Sequence, residues 1–309
     1  MKRKRKLIPL ELQKQADKVL SIVPELQGVD DIDRAAALIK EHTNLKENVN
    51  TYAYAYAYVM SSHWRQTKLI YEFDKTLVEE LTAQTDLAVA SEMLKRLPFE
   101  CAYVMTPNLF GYNGEPVDGF MCLKRRNVLQ ILFVVYNKKD GTTSEGLLDI
   151  HLDATTLEES DRLSQETSVK RGLISGHTPS THTSSGIIQL LLYLCAANAD
   201  IKERKPSTTA AAKKATKTTD KRPVRRWDVG VRVGATIKRN RSYAARTTQS
   251  ADHKQHARPR PHLRRGHWSH FWTGKRDSAD RERVLKWIEP VYINANSPDD
   301  LPTTIHKVK

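Results

Sequence analysis

An α+β fold is the expectation for this 309-residue chain, and three features carry it. Apolar residues recur at helical spacing through the first hundred positions. Strand-like apolar segments around an Asp-Gly turn take over between Glu100 and Leu152. A basic stretch without large apolar residues then sets off the last third. The expected organisation is an N-terminal domain of several helices packed on a small antiparallel sheet (1–202), a flexible basic linker (203–226) and a small basic, β-rich C-terminal module (227–309).

Leu10, Leu12, Val19 and Leu20 predict a helix over 10–22, and Ile32, Ala36, Leu38 and Ile39 predict another over 30–48. Asp30, Asp31 and Asp33 suit the start of the second, where carboxylates meet the positive end of the helix dipole. Thr51 to Tyr58 alternates Tyr with Ala and by itself suits a strand. It runs without a turn signal into Val59, Met60, Trp64, Leu69 and Leu77, so one long helix from Asn50 to Thr82 is expected, its tyrosines packing between helices. A helix over 86–97 should stop at Pro98.

Strands are expected from Glu100 to Met105, Val117 to Leu123, Leu129 to Tyr136 and Glu145 to Leu152, with a hairpin at 137–141, where Asp140-Gly141 accepts positive φ. Residues 153–184 read as a polar connection, and Gly186 to Ala197 as an apolar helix buried against the sheet. Beyond the linker, Val229, Val231 and Val233 alternate in a strand over 227–238, and Val284 to Ile293 offers a second strand-like run.

Apolar residues make up 39% of the chain, enough for an ordinary core. From Glu203 to Lys309 there are 26 Lys/Arg against 10 Asp/Glu, whereas the first 202 residues carry 24 against 26. The excess positive charge therefore belongs to the C-terminal third, which is suited to a polyanion: nucleic acid first, an acidic protein surface or ribosome next. Cys101, Cys122 and Cys195 lie in apolar runs without a Cys-x-x-Cys pair, as buried thiols of a reducing compartment do. Met1 to Lys6 is basic like the start of a signal peptide, but Pro9, Glu11, Gln13 and Lys14 break the apolar region that should follow. A cytoplasmic protein without a membrane partner is expected. Its basic start is a solvated tail or a weak contact with nucleic acid.

The densest chemistry lies from Arg258 to Trp272. Pro259 and Pro261 favour an extended arm, and Gly266 permits a turn or a close approach. In extended chain, His267, Ser269 and Phe271 share one face and Trp268, His270 and Trp272 the other, so that one can pack while the other binds. Arg258, Arg260, His262, Arg264, Arg265, His267, Trp268 and Trp272 are the candidate binding residues. Arginine forks fit phosphates or carboxylates, and indoles stack on bases or fill pockets. Trp268 suits the core equally well, and Trp287 suits it better.

Other constellations are weaker. Asp149, His151 and Asp153 share a strand face that could hold a divalent metal, but the solvent face of an edge strand explains them as well. His253, His256, His262, His267 and His270 invite a zinc reading, yet this third has no thiolate, and no metal is expected. The enzyme alternative is a metal-independent ribonuclease with His262, His267 and His270 as acid and base. Gly230 and Gly234 lack the third glycine of a dinucleotide fingerprint, so no cofactor is expected.

The run Arg260-Pro-His-Leu-Arg-Arg-Gly-His-Trp268, then Phe271-Trp272-x-Gly274, Arg283-x-x-x-Trp287, Pro290 and an apolar strand ending near Asn294 resembles the C-terminal signature of the second AcrVA family of type V-A anti-CRISPR proteins. Weaker likeness runs through Trp64-Arg65, Leu97-Pro98, Gly119-Phe120 and the helix from Leu190 to Cys195. The resemblance implies a phage or plasmid protein in the bacterial cytoplasm. It would antagonise the type V-A effector nuclease by recognising the nascent chain and promoting loss of its messenger RNA, acting by recognition rather than by its own chemistry. The charge distribution, rather than the resemblance, divides the labour: one part would hold the effector peptide, and the basic third would engage RNA or the translating ribosome.

Overall fold

A seven-stranded mixed sheet separates two hydrophobic cores, one covered by the first three helices and the other by later helices and a C-terminal β-ribbon. The structure, a computed structural model, describes residues 7–43, 49–83, 91–112, 115–136, 143–173, 181–205, 223–246, 262–276 and 281–293. Helices α1 (Ile8–Ile22), α2 (Ile32–His42) and α3 (Val49–Thr67) open the chain, followed by strand β1 (Leu69–Phe73) and helix α4 (Lys75–Thr82). Strands β2 (Cys101–Tyr112), β3 (Glu115–Lys124), β4 (Val128–Tyr136) and β5 (Thr143–His151) form an antiparallel meander. Helices α5 (Leu157–Lys170) and α6 (Thr181–Cys195) lead to β6 (Ile201–Glu203) and β7 (Arg225–Val229). The order across the sheet is β5-β4-β3-β2-β1-β7-β6, with β1 parallel to both β2 and β7.

The α+β class and the four antiparallel strands match expectation, but the sheet is larger and mixed. Residues 50–82 do not make one helix: α3 ends at Thr67, Lys68 takes φ +48°, and Leu69–Phe73 pairs on both edges. Two parallel partners outweigh the helical periodicity, because every backbone group of a central strand is then satisfied while its side chains reach both cores. Ile70 faces α1–α3, and Tyr71 and Phe73 face α4 and α6. The turn is pinned where Trp64 Nε1 donates to the Leu69 carbonyl at 2.8 Å and Thr67 Oγ1 to that of Cys101 at 2.9 Å. The Asp74 carboxylate then accepts from the Thr76 and Leu77 amides and caps α4.

Three further segments depart from expectation. The polar connection contains α5, whose Ser160 hydroxyl accepts from the His151 amide at 2.8 Å while Ser164 donates to the Asp149 carbonyl. These bonds close the free edge of β5 that would otherwise invite another strand. The run expected as a strand over 227–238 is strand only to Val229; Gly230, at φ +73°, turns the chain into helix α7 (Val231–Arg246). Val233 and Ile237, one helical turn apart, face inward. Of the helix expected over 86–97, a 3-10 turn covers Ser91–Arg96, while 84–90, the hairpin residues 137–141 and linker residues 206–222 lie outside the described residues. The two ends of the expected linker belong to the sheet, since Glu203 closes β6 and Arg225 opens β7.

Helix α6 behaves as its apolar sequence requires, burying Ile187 to Leu194 against the sheet. The tyrosine run packs between helices, and three of its hydroxyls donate to polar partners. Tyr56 donates to Asp149 at 2.6 Å, Tyr58 to the Leu26 carbonyl and Tyr52 to Asp33 at 3.1 Å. Burial first and then the Asp149 carboxylate push the Tyr56 phenol well above its usual pKa, so it stays a donor. Asp149 is therefore buried rather than on a solvent face, and Arg171 Nη1 neutralises it at 2.8 Å while Arg171 Nε reaches Asp33 at the same distance. Burial raises the Asp33 pKa, but the hydrogen bonds and charge of Arg171 outweigh it and hold it low. All three cysteines are free, and burial pushes each thiol up, Cys195 to about 12, so they behave as packing groups.

Candidate functional site

The signature run folds as two short antiparallel pairs. Strand β8 (His262–Arg264) pairs with β11 (Val291–Ile293), and β9 (His267–Trp272) pairs with β10 (Arg283–Ile288). The register sets Trp268 opposite Trp287, His270 opposite Leu285 and Trp272 opposite Arg283, on one face of the ribbon. The other face carries His267 opposite Ile288, Ser269 opposite Lys286, and Phe271 opposite Val284.

The tryptophan face docks on the molecule. Trp287 and Leu285 are buried in the core beneath α6, and the Trp268 ring lies 5.1 Å from that of Trp287. Trp268 Nε1 donates to Gln189 Oε1 at 2.5 Å, an acceptor supplied from within the apolar helix. Asn198 acts as a surrogate strand partner: its Nδ2 donates to the Trp287 carbonyl at 2.8 Å and its Oδ1 accepts from the Trp287 amide at 3.0 Å. The Ala197 amide donates to the Leu285 carbonyl at 2.9 Å. Gly266 is required by packing, because a Cβ there would come within 2.4 Å of the Trp287 ring. The close approach that Gly266 permits is thus to the chain's own tryptophan.

The rest of the signature faces water. Arg264 and Arg265 are exposed, and among the described residues neither pairs with a carboxylate. Arg264 Nη2 lies 3.3 Å from His267 Nε2, and His267 Nδ1 lies 3.3 Å from the Arg265 carbonyl. That arrangement suits a ring protonated on Nδ1, which donates to the carbonyl and accepts from the guanidinium. Trp272 is 57% exposed, with the Arg281 guanidinium 4.9 Å from its ring centre. His270 sits on the docking face, where burial and then the charge of Arg283 lower its pKa.

Of the candidate residues, the fold brings Arg264, Arg265 and His267 together and places Trp272 at the far end of the same strand. Trp268 is committed to packing and His262 lies in β8, whereas Arg258 and Arg260 lie outside the described residues. Phe271 and Arg283 entered the sequence reading as parts of its pattern but not as binding candidates, and Arg281 and Lys286 did not enter it. Setting Trp268 opposite Trp287 would have aligned the strands and revealed them. Gln189, a lone amide in an apolar helix, was the visible sign that something docks on α6.

At the starts of α4 and α7 the anion site that a helix end often provides is filled internally. Asp74 caps α4, and Asp200 accepts from the Arg232 amide at 2.8 Å at the start of α7 and from its guanidinium at 2.6 Å. The cations beside the linker are also paired, Arg204 with Glu72 at 3.0 Å and with Asp228, and Arg225 with Glu203 at 2.9 Å. No group of three or more His, Cys, Asp or Glu among the described residues is arranged to hold a metal, and none of their helices is long and apolar enough to cross a membrane.

The profile of the anti-CRISPR type V subtype A2 family, AcrVA2-like, matches residues 71–295, more than half of the chain, and the chain belongs to that family. Family membership implies a CRISPR effector as its target in general. Among particular relatives, Protein FinQ of Escherichia coli is 27% identical over 271 residues, 79% of this chain and 78% of the relative. The crystal structure of AcrVA2 matches with a TM-score of 0.52 over 92% of this chain and 95% of that one, and at 18% identity this likeness is one of fold.

Proposed function

We propose that this anti-CRISPR protein lowers the type V-A effector in the bacterial cytoplasm by recognising its nascent polypeptide and promoting loss of the translating message. The basic ribbon would be its contact with RNA or the ribosome. The observation that carries this reading is the exposed pair Arg264 and Arg265, unpaired with any carboxylate among the described residues and next in the chain to the docked strand β9. Elsewhere in the described chain Arg171, Arg204 and Arg232 meet acids. Cations presented on a fixed scaffold without internal partners favour an external anion. Of the three histidines of the ribonuclease alternative, His267 and His270 fall on opposite faces of β9 and cannot flank one phosphate, which leaves that reading only the pair His262 and His267.

The test is Arg264→Glu with Arg265→Glu in cells carrying the effector. Message level should return to that of cells without the inhibitor, while the purified protein keeps its melting temperature. A doubly reversed protein that still lowered the message fully would overturn the reading. Purified wild-type protein that cut untranslated RNA without ribosomes would replace it with the nuclease.

A further inference from the structure

Phe271 and Trp272 end β9 with large rings in water, 40% and 57% exposed, and each ring carries a cation. Lys286 Nζ lies 5.1 Å from the centre of Phe271, and the Arg281 guanidinium 4.9 Å from that of Trp272. Neither ring is needed for docking, which Trp268, Trp287 and Leu285 accomplish from the other part of the ribbon. The outer face runs from Arg264 and His267 through Ser269 and Lys286 to Phe271, and Trp272 with Arg281 and Arg283 lies at the end of the ribbon. Over 262–276 and 281–293 there are seven Lys/Arg and two acidic residues, Glu282 and Glu289.

We propose that single-stranded RNA runs along this outer face and around the end of the ribbon, with one base stacked on Phe271 on the outer face, another on Trp272 where the opposite face emerges beyond the docked core, and phosphates held by Lys286, Arg281 and Arg264. Exposed rings beside cations match the two parts of a nucleotide strand, a π surface and a charge, at neighbouring points. A duplex offers no free base faces, and an acidic peptide uses the cations but leaves both rings in water. This assignment rests on the proposal that the protein acts on a message and names what the ribbon touches.

The experiment measures binding of a labelled oligouridylate of about 12 nucleotides to the full-length protein by fluorescence anisotropy. Phe271→Ala and Trp272→Ala should each weaken binding roughly 5- to 100-fold at fixed salt with unchanged thermal melting, since stacking on one ring typically accounts for that range. Lys286→Ala should reduce the slope of log affinity against log salt by about 0.7, one phosphate contact on a single strand. Wild-type protein that does not bind the oligomer would overturn the proposal. So would affinity unchanged in both aromatic variants, equal binding of duplex RNA, or displacement by an oligoglutamate peptide at equal concentration. Should the aromatic variants bind normally while the doubly reversed arginine protein fails to lower the message, the RNA assignment falls and the wider reading stands. If the doubly reversed protein lowers the message fully, the wider reading falls whatever the oligomer does.

Discussion

Two regions rich in arginine and aromatic rings use them in opposite ways. Between α2, α3 and β5, Arg171 is enclosed by Asp33, Asp149, Tyr52 and Tyr56, and each of its three guanidinium nitrogens donates to an internal acceptor. On the ribbon, Arg264, Arg265, Arg281 and Lys286 lie over rings or in water, without carboxylate partners among the described residues. Charge that is spent inside the fold ties four elements together, whereas charge left outside adds little to stability and remains available to a partner. Composition alone makes both regions look alike. Pairing separates them.

The comparison breaks first at Arg171. Arg171→Ala would strand the buried Asp149 carboxylate, and the stability measured by urea unfolding should fall by about 3–5 kcal/mol. An unchanged midpoint would mean that this network is no more structural than the ribbon. Gly266→Ala should come next, at about 1–3 kcal/mol, because the new methyl overlaps the Trp287 ring and forces the ribbon or the indole to move. Its effect on message level should exceed its effect on stability, since it displaces the presented face.

A smaller effect is expected from acid. The Asp33 pKa is depressed in the fold, so its contribution is present above the unfolded value near 3.8 and is lost as pH falls through the lower folded value. Asp33→Asn should therefore flatten the acid limb of the stability–pH curve while leaving the neutral plateau lower. A mutant curve parallel to the wild type would remove that role. Least of all in stability, within about 0.5 kcal/mol, should be Arg264→Glu with Arg265→Glu, which nevertheless should abolish the message effect. Loss of activity accompanied by a large drop in melting temperature would show that the ribbon's charge is structural too.

Much of the fold was legible because burial demands apolar runs. Those in 117–123 and 129–136 appear as β3 and β4, buried on both faces inside the sheet, and the apolar run from Gly186 appears within α6. Prediction failed where pairing between distant residues overrode local preference. Leu69 to Phe73 continues a helical pattern, and only the arrival of β7, more than 150 residues later in the chain, completes its second parallel edge. Val231 and Val233 extend an alternation that ends at Gly230, because the helix there packs against α4 so closely that a Cβ at Gly234 would meet Asp74.

For the site, sequence alone located the segment and its chemistry: the cation-rich run, the split into two faces once extended, and the charge imbalance of the last third. Tertiary structure decided which face was which. Trp268 turned inward because Gln189 and Asn198, on and just beyond an otherwise apolar helix, satisfy the indole N–H and the Trp287 backbone where burial would leave them orphaned. With that face committed, the alternation of β9 leaves Phe271 on the outer face with Lys286 above it, and places Trp272 beyond the docked core under Arg281. A strand's two faces are equivalent in a sequence, and it is the energy of docking one that assigns the other to a partner.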